Sequence, residues 1–332
     1  MKKIALLLTA LILSIILAEL SVRYVFNYPN YVKGTRYFTQ NPNAETKLKK
    51  ITWRPPGFKV FNVEGGNIVV KLNNLGFPGI DVKQSEDSKY IHVVGSSFTE
   101  ALQVAPQNCA TSVFQSKLNS LNDNLQVLNL GYSGNDIYLS WFRSMFFSKQ
   151  FPPDFVIIIL ESQNEEWLNR YPDQLDFTIP ENFGAEIKDK GVKKIVRAIS
   201  NYSYMFNLLS EGFKKFDLSP DNAKNEVKSE FTANDITNRV NPKILQALQN
   251  YRRICPNILL VSVITNNYIN SELKSFCQEN GLQFASDTTI LDKVNRLSKG
   301  TGHLNINGNR KLGLLLSDAF KKAYKKTLLD KK

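Results

Sequence analysis

Two hydrophobic periods alternate along most of this chain. From residue 90 onward, short continuous apolar runs recur at 90–94, 126–130, 155–160 and 257–263, with a weaker one at 283–285. Runs of this length, dominated by Val, Ile and Leu, read as strands buried on both faces. Between them, 111–121, 138–148, 242–253 and 270–279 carry apolar residues at helical spacing. Buried strands alternating with amphipathic helices predict an α/β domain in three layers, a parallel sheet with helices on both faces. In such a sheet the loops at the carboxyl ends of the strands hold the ligand.

The pattern before residue 86 is different. Lys2 and Lys3 precede an uncharged, mostly apolar run over 4–18, and apolar character resumes after Glu19 as far as Phe26. The lysines predict a cytoplasmic N-terminus and an exported body, periplasmic or extracellular. No small-x-small cleavage site follows the run, which predicts a signal-anchor spanning a membrane over residues 1–26; secretion after cleavage is the alternative. Residues 27–85 are rich in Asn, Tyr, Gly and Pro. There, 58–63 and 67–72, split by Glu64-Gly65-Gly66, predict a hairpin in a small β-rich region. The main domain then covers 86–328.

The interval between the third and fourth strands far exceeds a simple crossover, so an insertion is expected at about 165–240, covering or bordering the active site. It carries aromatic residues (Trp167, Tyr171, Phe177, Phe183), a predicted helix over 192–209 and a polar, lysine-rich stretch over 219–229.

Composition narrows the function classes. With 42% hydrophobic and 22% charged residues the chain is globular in character. Its net charge of +12 is spread along the chain and lacks the aromatic-interleaved basic pattern of nucleic-acid readers, so no nucleic-acid partner is expected. A solvated basic surface is the plain reading, and attraction to an anionic envelope the functional one. The three cysteines, Cys109, Cys255 and Cys277, are too few for a disulfide framework; buried free thiols are expected, with a Cys255–Cys277 bridge as the alternative. No ligand cluster for zinc and no Gly-rich phosphate loop is present, so no metal or cofactor is expected.

Four segments stand where the sheet would face a substrate: Gly95-Ser96-Ser97-Phe98-Thr99-Glu100 after the first strand, Asn129-Leu130-Gly131-Tyr132-Ser133-Gly134 ending the second, Ser162-Gln163-Asn164-Glu165 after the third, and Gly302-His303-Leu304-Asn305-Ile306-Asn307-Gly308-Asn309 before the final helix. A serine on a sharp strand-to-helix turn is exposed at the sheet edge, but its hydroxyl is a weak nucleophile until an imidazole takes the proton. Only two histidines exist. His92 lies within the first strand and is expected to be a packing residue, which leaves His303 as the candidate base.

These segments resemble, in order, the four blocks of the SGNH (GDSL-like) hydrolase superfamily, and Asn73-Asn74-Leu75-Gly76-Phe77 resembles a lead-in seen in its membrane-anchored bacterial members. The resemblance implies a flavodoxin-like five-stranded sheet with Ser97 as nucleophile and His303 as general base. The oxyanion hole would be formed by Ser97 N–H, Gly134 N–H and the Asn164 side chain. It implies an esterase or O-acyl (acetyl) transferase acting on an acylated glycan, lipid or small ester of the envelope or extracellular space. Three positions depart from the pattern. Ser96 stands where the family has Asp, the third block lacks its glycine and ends in Glu, and Gly300 occupies the place of the acid that orients the histidine. Asp287 or Asp292 would then supply that acid, or a backbone carbonyl would orient a Ser–His dyad. A catalytically impaired protein that binds glycan or protein partners at the membrane is the alternative function.

Overall fold

The computed structural model describes residues 2–25, 35–38, 50–54, 56–57, 59–62, 65, 68–120, 124–163, 168–169, 171–179, 191–192, 195, 199, 203, 205–206, 209, 239–297 and 302–329. The chain opens with α1 (Lys2–Leu20), continued by a π-turn over Ser21–Val25. Within Lys2–Val25 an 18-residue stretch has a mean hydropathy of 2.5 and holds no buried residue, so the helix is long and apolar enough to cross a membrane. Two antiparallel pairs follow. β1 (Thr35–Phe38) pairs with β2 (Lys50–Trp53), which the sequence pattern did not predict, and β3 (Lys59–Asn62) pairs with β4 (Ile68–Lys71), the expected hairpin.

The main sheet is built from β5 (Lys89–Val94), β6 (Leu125–Asn129), β7 (Pro153–Leu160), β8 (Ile258–Ser262) and β9 (Gln283–Ser286). Every pairing is parallel and the spatial order is β6-β5-β7-β8-β9. This is the flavodoxin-like order, as expected. Between the strands lie the single turn α2 (Ser97–Glu100), then α3 (Ala110–Asn119), α4 (Ile137–Ser148), α5 (Pro242–Tyr251), α6 (Asn267–Glu279) and, last, α7 (Ile306–Leu329).

Side-chain alternation along the strands divides the core into two layers. Val156, Ile158 and Leu160 of β7 pack with α4, α5 and α6, whereas Phe155, Ile157 and Ile159 pack with α3 and α7. Because both faces are covered, the strands carry no polar alternation, which is why they read as continuous apolar runs.

The start of the insertion belongs to this core. Leu168, Tyr171, Leu175 and Phe177 are buried against Tyr138 and Trp141 of α4, and Lys243 Nζ donates to the carbonyls of Leu168 and Tyr171 at 3.0 and 2.8 Å. Val192, Ile195 and Ile199 are helical, as are Met205, Phe206 and Leu209, but Ser203 between them is not, so the helix expected over 192–209 is interrupted. Trp167, Phe183 and the lysine-rich stretch lie outside the described residues. All three cysteines are buried and free, and burial pushes the thiols of Cys255 and Cys277 up to about 11 and 12.

Candidate active site

Strand β5, second from the edge of the sheet, delivers the predicted nucleophile. After Val94 the chain reverses within two residues into α2, which is closed by bonds from the amides of Glu100 and Ala101 to the carbonyls of Ser96 and Ser97 at 3.0 and 2.9 Å. Ala101 ends the turn with φ 56°, a left-handed conformation unusual for a residue with a Cβ. Ser97 is half-buried at the carboxyl rim of the sheet, its hydroxyl 3.5 Å from that of Ser96. Since β5 lies between β6 and β7, the loops leaving those two strands flank it.

The loop after β6 is fastened to this turn. Asn129 Oδ1 accepts from Gly131 N–H at 3.0 Å, and Tyr132 N–H donates to the Gly95 carbonyl at 3.2 Å. A Cβ on Gly131 would lie 2.4 Å from the Glu100 nitrogen, so only glycine allows the two backbones to approach this closely. Glu100 is fully buried. Its carboxylate accepts from Arg54, from Ser133 N–H at 2.8 Å and from the Ser133 hydroxyl. Burial, the largest single effect, pulls the Arg54 guanidinium toward neutrality, but Glu100 and Tyr132 together outweigh it and the net shift is upward. The ring of Tyr132 has two guanidinium neighbours, Arg143 at 4.4 Å and Arg54 at 4.9 Å. Arg143, wholly buried on α4, is lowered by that burial to about 10 and so stays charged at neutral pH. The same loop ends at Gly134, whose φ of 78° turns its backbone.

The loop after β7 carries a residue that sequence reasoning did not single out. Glu161 accepts a hydrogen bond from the Phe98 N–H, on the turn next to Ser97, while its Oε2 is shut off from solvent without a hydrogen-bond partner among the described residues. Burial raises this carboxyl to about 8 against the opposing effect of the Phe98 bond, so it is protonated at neutral pH. An acid placed directly after six apolar residues at the carboxyl edge of a buried strand was the available signal. Gln163, also buried, pins this loop to the start of α5, donating to the Arg239 carbonyl at 3.1 Å and accepting from Asn241 N–H at 2.6 Å. Asn164 lies outside the described residues.

The predicted base arrives from the other end of the chain. The ring of His303 meets the ring of Phe98 edge-on, centroids 5.8 Å apart, so the histidine loop abuts the nucleophile turn. The loop is held by amides. The His303 carbonyl accepts from Leu297 N–H at 2.9 Å, and Asn305 Nδ2 donates to the carbonyls of Val294 and Arg296, each at 2.9 Å. Asn305 Oδ1 caps α7 by accepting from Gly308 N–H at 3.0 Å. Asn309 joins this loop to α3, accepting from Ala110 N–H at 3.2 Å.

The two candidate orienting acids sit after β9. Asp287 Oδ1 caps the short helical turn Thr288–Leu291 through Thr289 N–H at 2.9 Å and its hydroxyl at 2.6 Å, and Asp287 Oδ2 lies 3.9 Å from Lys311 Nζ. Asp292 is exposed. Gly300 lies outside the described residues. His92 is a packed residue, as its strand position implied. Burial lowers it to about 4, so it is neutral; its Nε2–H donates to the Phe151 carbonyl at 2.8 Å and Nδ1 accepts from the Ser144 hydroxyl at 2.9 Å. Among the described residues no group of three His, Cys, Asp or Glu gathers as metal ligands do.

No protein-family model and no curated protein matches the chain. Similar solved structures include TesA, at 13% identity over 71% of this chain and 99% of that one, TM-score 0.40. A lipolytic protein of the G-D-S-L family from Veillonella parvula aligns at 10% identity over 70% of this chain and 99% of that one, TM-score 0.38. Axe2, an acetylxylan esterase from Geobacillus stearothermophilus, aligns at 13% identity over 71% and 93%, TM-score 0.38.

Proposed function

We propose that this chain is a serine ester hydrolase of the SGNH type, held by α1 at the outer face of a membrane. The observation that carries the reading is the contact of the His303 ring with Phe98, the residue next to Ser97. In this reading the body is the hydrolase domain over 86–328, with its β-rich region over 27–85 and the insertion at about 165–240. The His303 imidazole takes the Ser97 hydroxyl proton as Oγ attacks the ester carbonyl. The tetrahedral oxyanion is met by the Ser97 and Gly134 amides and the Asn164 side chain, and His303 returns the proton to the leaving alcohol. Water then releases the acid; a sugar hydroxyl in its place makes the same site an O-acyltransferase. An exported body points to acyl esters of envelope or extracellular glycans or lipids as substrates. Asp287, committed to its cap and near Lys311, is better suited to building the β9 loop than to orienting His303. In this reading Asp292 or a backbone carbonyl is left to orient His303.

A second reading, an SGNH-like binding protein without turnover, is favoured by Gly300 standing where the family carries its acid. The test is fluorophosphonate labelling and p-nitrophenyl acetate hydrolysis by detergent-solubilised full-length chain beside Ser97→Ala and His303→Ala. Loss of labelling in Ser97→Ala and a fall in turnover of about 10³-fold or more in both variants is expected. Equal labelling and turnover in all three proteins removes Ser97 from its role and leaves the binding reading.

A further inference from the structure

Among the described residues, the insertion bonds to the membrane helix at Glu19. Glu19 of α1 accepts a hydrogen bond from the Ser203 hydroxyl at 2.9 Å and another from Met205 N–H at 3.0 Å. Ser203 is the right residue for such a joint. Its own N–H closes a turn on the Ile199 carbonyl at 2.8 Å, and its Oγ accepts from Phe206 N–H at 3.0 Å, capping the helical residues that follow.

Depth follows from helix geometry. At 1.5 Å per residue from Ile4, Glu19 stands about 22 Å along the helix and Val25 about 32 Å. The hydrocarbon core of a bilayer is roughly 30 Å thick. Glu19 is therefore in the outer part of that core or at its edge, where a carboxylate without donors is costly. Ser203 and Met205 supply the donors, so the segment that carries them lies at the lipid boundary. Tyr24, 70% exposed just beyond, is a residue type that favours this interface.

The same segment presents an exposed apolar stripe. Val192, Ile195 and Ile199 are helical, spaced i, i+3 and i+7, and 74%, 60% and 43% exposed. That spacing sets them on one side of a helix. Leu209, beyond the joint, is half exposed as well. The sequence here is also basic, with Lys188, Lys190, Lys193, Lys194 and Arg197 within ten positions. An apolar stripe among basic residues is the composition of a segment lying in the plane of a headgroup layer.

We infer that Val192, Ile195 and Ile199 form a second membrane contact, seated in the outer leaflet beside α1 and clamped to it through Glu19, with a lipid surface as the occupant. The body is thereby held by two contacts, which restrains its tilt and keeps the carboxyl rim of the sheet at a fixed attitude to the bilayer. The inference rests on the reading of α1 as a membrane-spanning anchor.

The experiment uses the full-length chain reconstituted into phosphatidylcholine–phosphatidylglycerol vesicles with dibrominated acyl chains. A fluorophore is attached to single cysteines introduced as Ile12→Cys, Ile195→Cys, Ile199→Cys or Tyr268→Cys; the native thiols are buried, and the unsubstituted chain gives their background. Tyr268, 71% exposed on α6, is the water-facing control. Bromine quenching at 195 and 199 comparable with that at 12, and none at 268, is the expected result. Quenching at 12 with 195 and 199 behaving like 268 overturns the second contact and leaves the anchor standing. Absence of quenching at 12 overturns the anchor reading itself. Labels at 195 and 199 shielded from water yet unquenched by bromine put a protein, such as a second copy of the chain, where the lipid was proposed, and also overturn the inference.

Discussion

The two halves of the candidate site are held by different chemistry. The Ser97 turn is fixed by a buried charge: Glu100, wholly enclosed, gathers Arg54 from the β-rich region and both the amide and the hydroxyl of Ser133 from the loop after β6. Among its described residues the histidine loop shows no buried ion pair of this kind. It is fixed by neutral amides, with Asn305 satisfying two carbonyls and one helix amide, and Asn309 fastening it to α3. A buried carboxylate makes its surroundings all-or-none, because removing it strands its cationic partner away from water. Neutral amide bonds each contribute about 1 kcal/mol and fail one at a time. The Ser97 side is thus over-determined by electrostatics, and the His303 side is a set of additive small restraints.

That contrast predicts its own hierarchy of damage. The largest effect is expected from Glu100→Ala, which leaves Arg54 without its carboxylate and releases Ser133. A loss of about 3 kcal/mol in urea unfolding is expected, at the low end for a broken buried pair because Arg54 retains some exposure. Arg54→Ala together with Glu100→Ala should lose less than the two single changes summed, since the second change removes the stranded charge. Strict additivity would show that the pair does not act as a unit.

A smaller loss is expected on the other side. Asn305→Ala removes the cap of α7 and the bridge to the Val294 and Arg296 carbonyls. Its cost should be about 1–2 kcal/mol, within the range for lost N-caps. Because Asn305 positions the histidine loop and does not touch the reacting atoms, the signature is a fall in kcat exceeding the change in KM. Asn305→Asp, which keeps the capping oxygen, should recover the stability of the cap more than the rate. Unchanged kcat in Asn305→Ala would dissociate the loop's anchoring from turnover.

The distinction was only partly legible in the sequence. The sheet was visible because burial on both faces writes strands as unbroken apolar runs, and four of the five were strongly patterned. The β1–β2 pair was not, since it falls in a region whose composition suggested only turns. In the last block, Asn305 and Gly308 could be recognised by resemblance, and the structure supplies the physical reason for that spacing, a cap three residues ahead of the amide it serves. Glu100 stood in the first block without a reason, because its partners Arg54 and Ser133 come from separate segments and only the fold brings them together. The insertion's aromatic residues suggested a cover for the site, yet Tyr171 and Phe177 are buried core residues beneath α4, a tertiary role that composition does not encode.

Glu161 gives the subtlest prediction, because near neutral pH its replacement should change little in charge. Its carboxyl is bonded to the N–H of Phe98, whose ring in turn meets His303. In the unfolded chain this group titrates near its ordinary 4.5, whereas burial in the folded protein holds it at about 8. Below about 4.5 both states are protonated and the shift has no effect on stability. Between about 4.5 and about 8 the unfolded chain has released a proton that the folded chain still binds, so stability falls steadily as pH rises. Above about 8 the folded form ionises too and the slope flattens. Glu161→Gln keeps the shape and an acceptor for Phe98 N–H but cannot ionise, so urea midpoints measured across this window should decline less in the variant than in the parent. Parallel decline in the two proteins would mean that Glu161 is already ionised in the folded state, and Phe98 N–H would then donate to a charge instead of a neutral carboxyl.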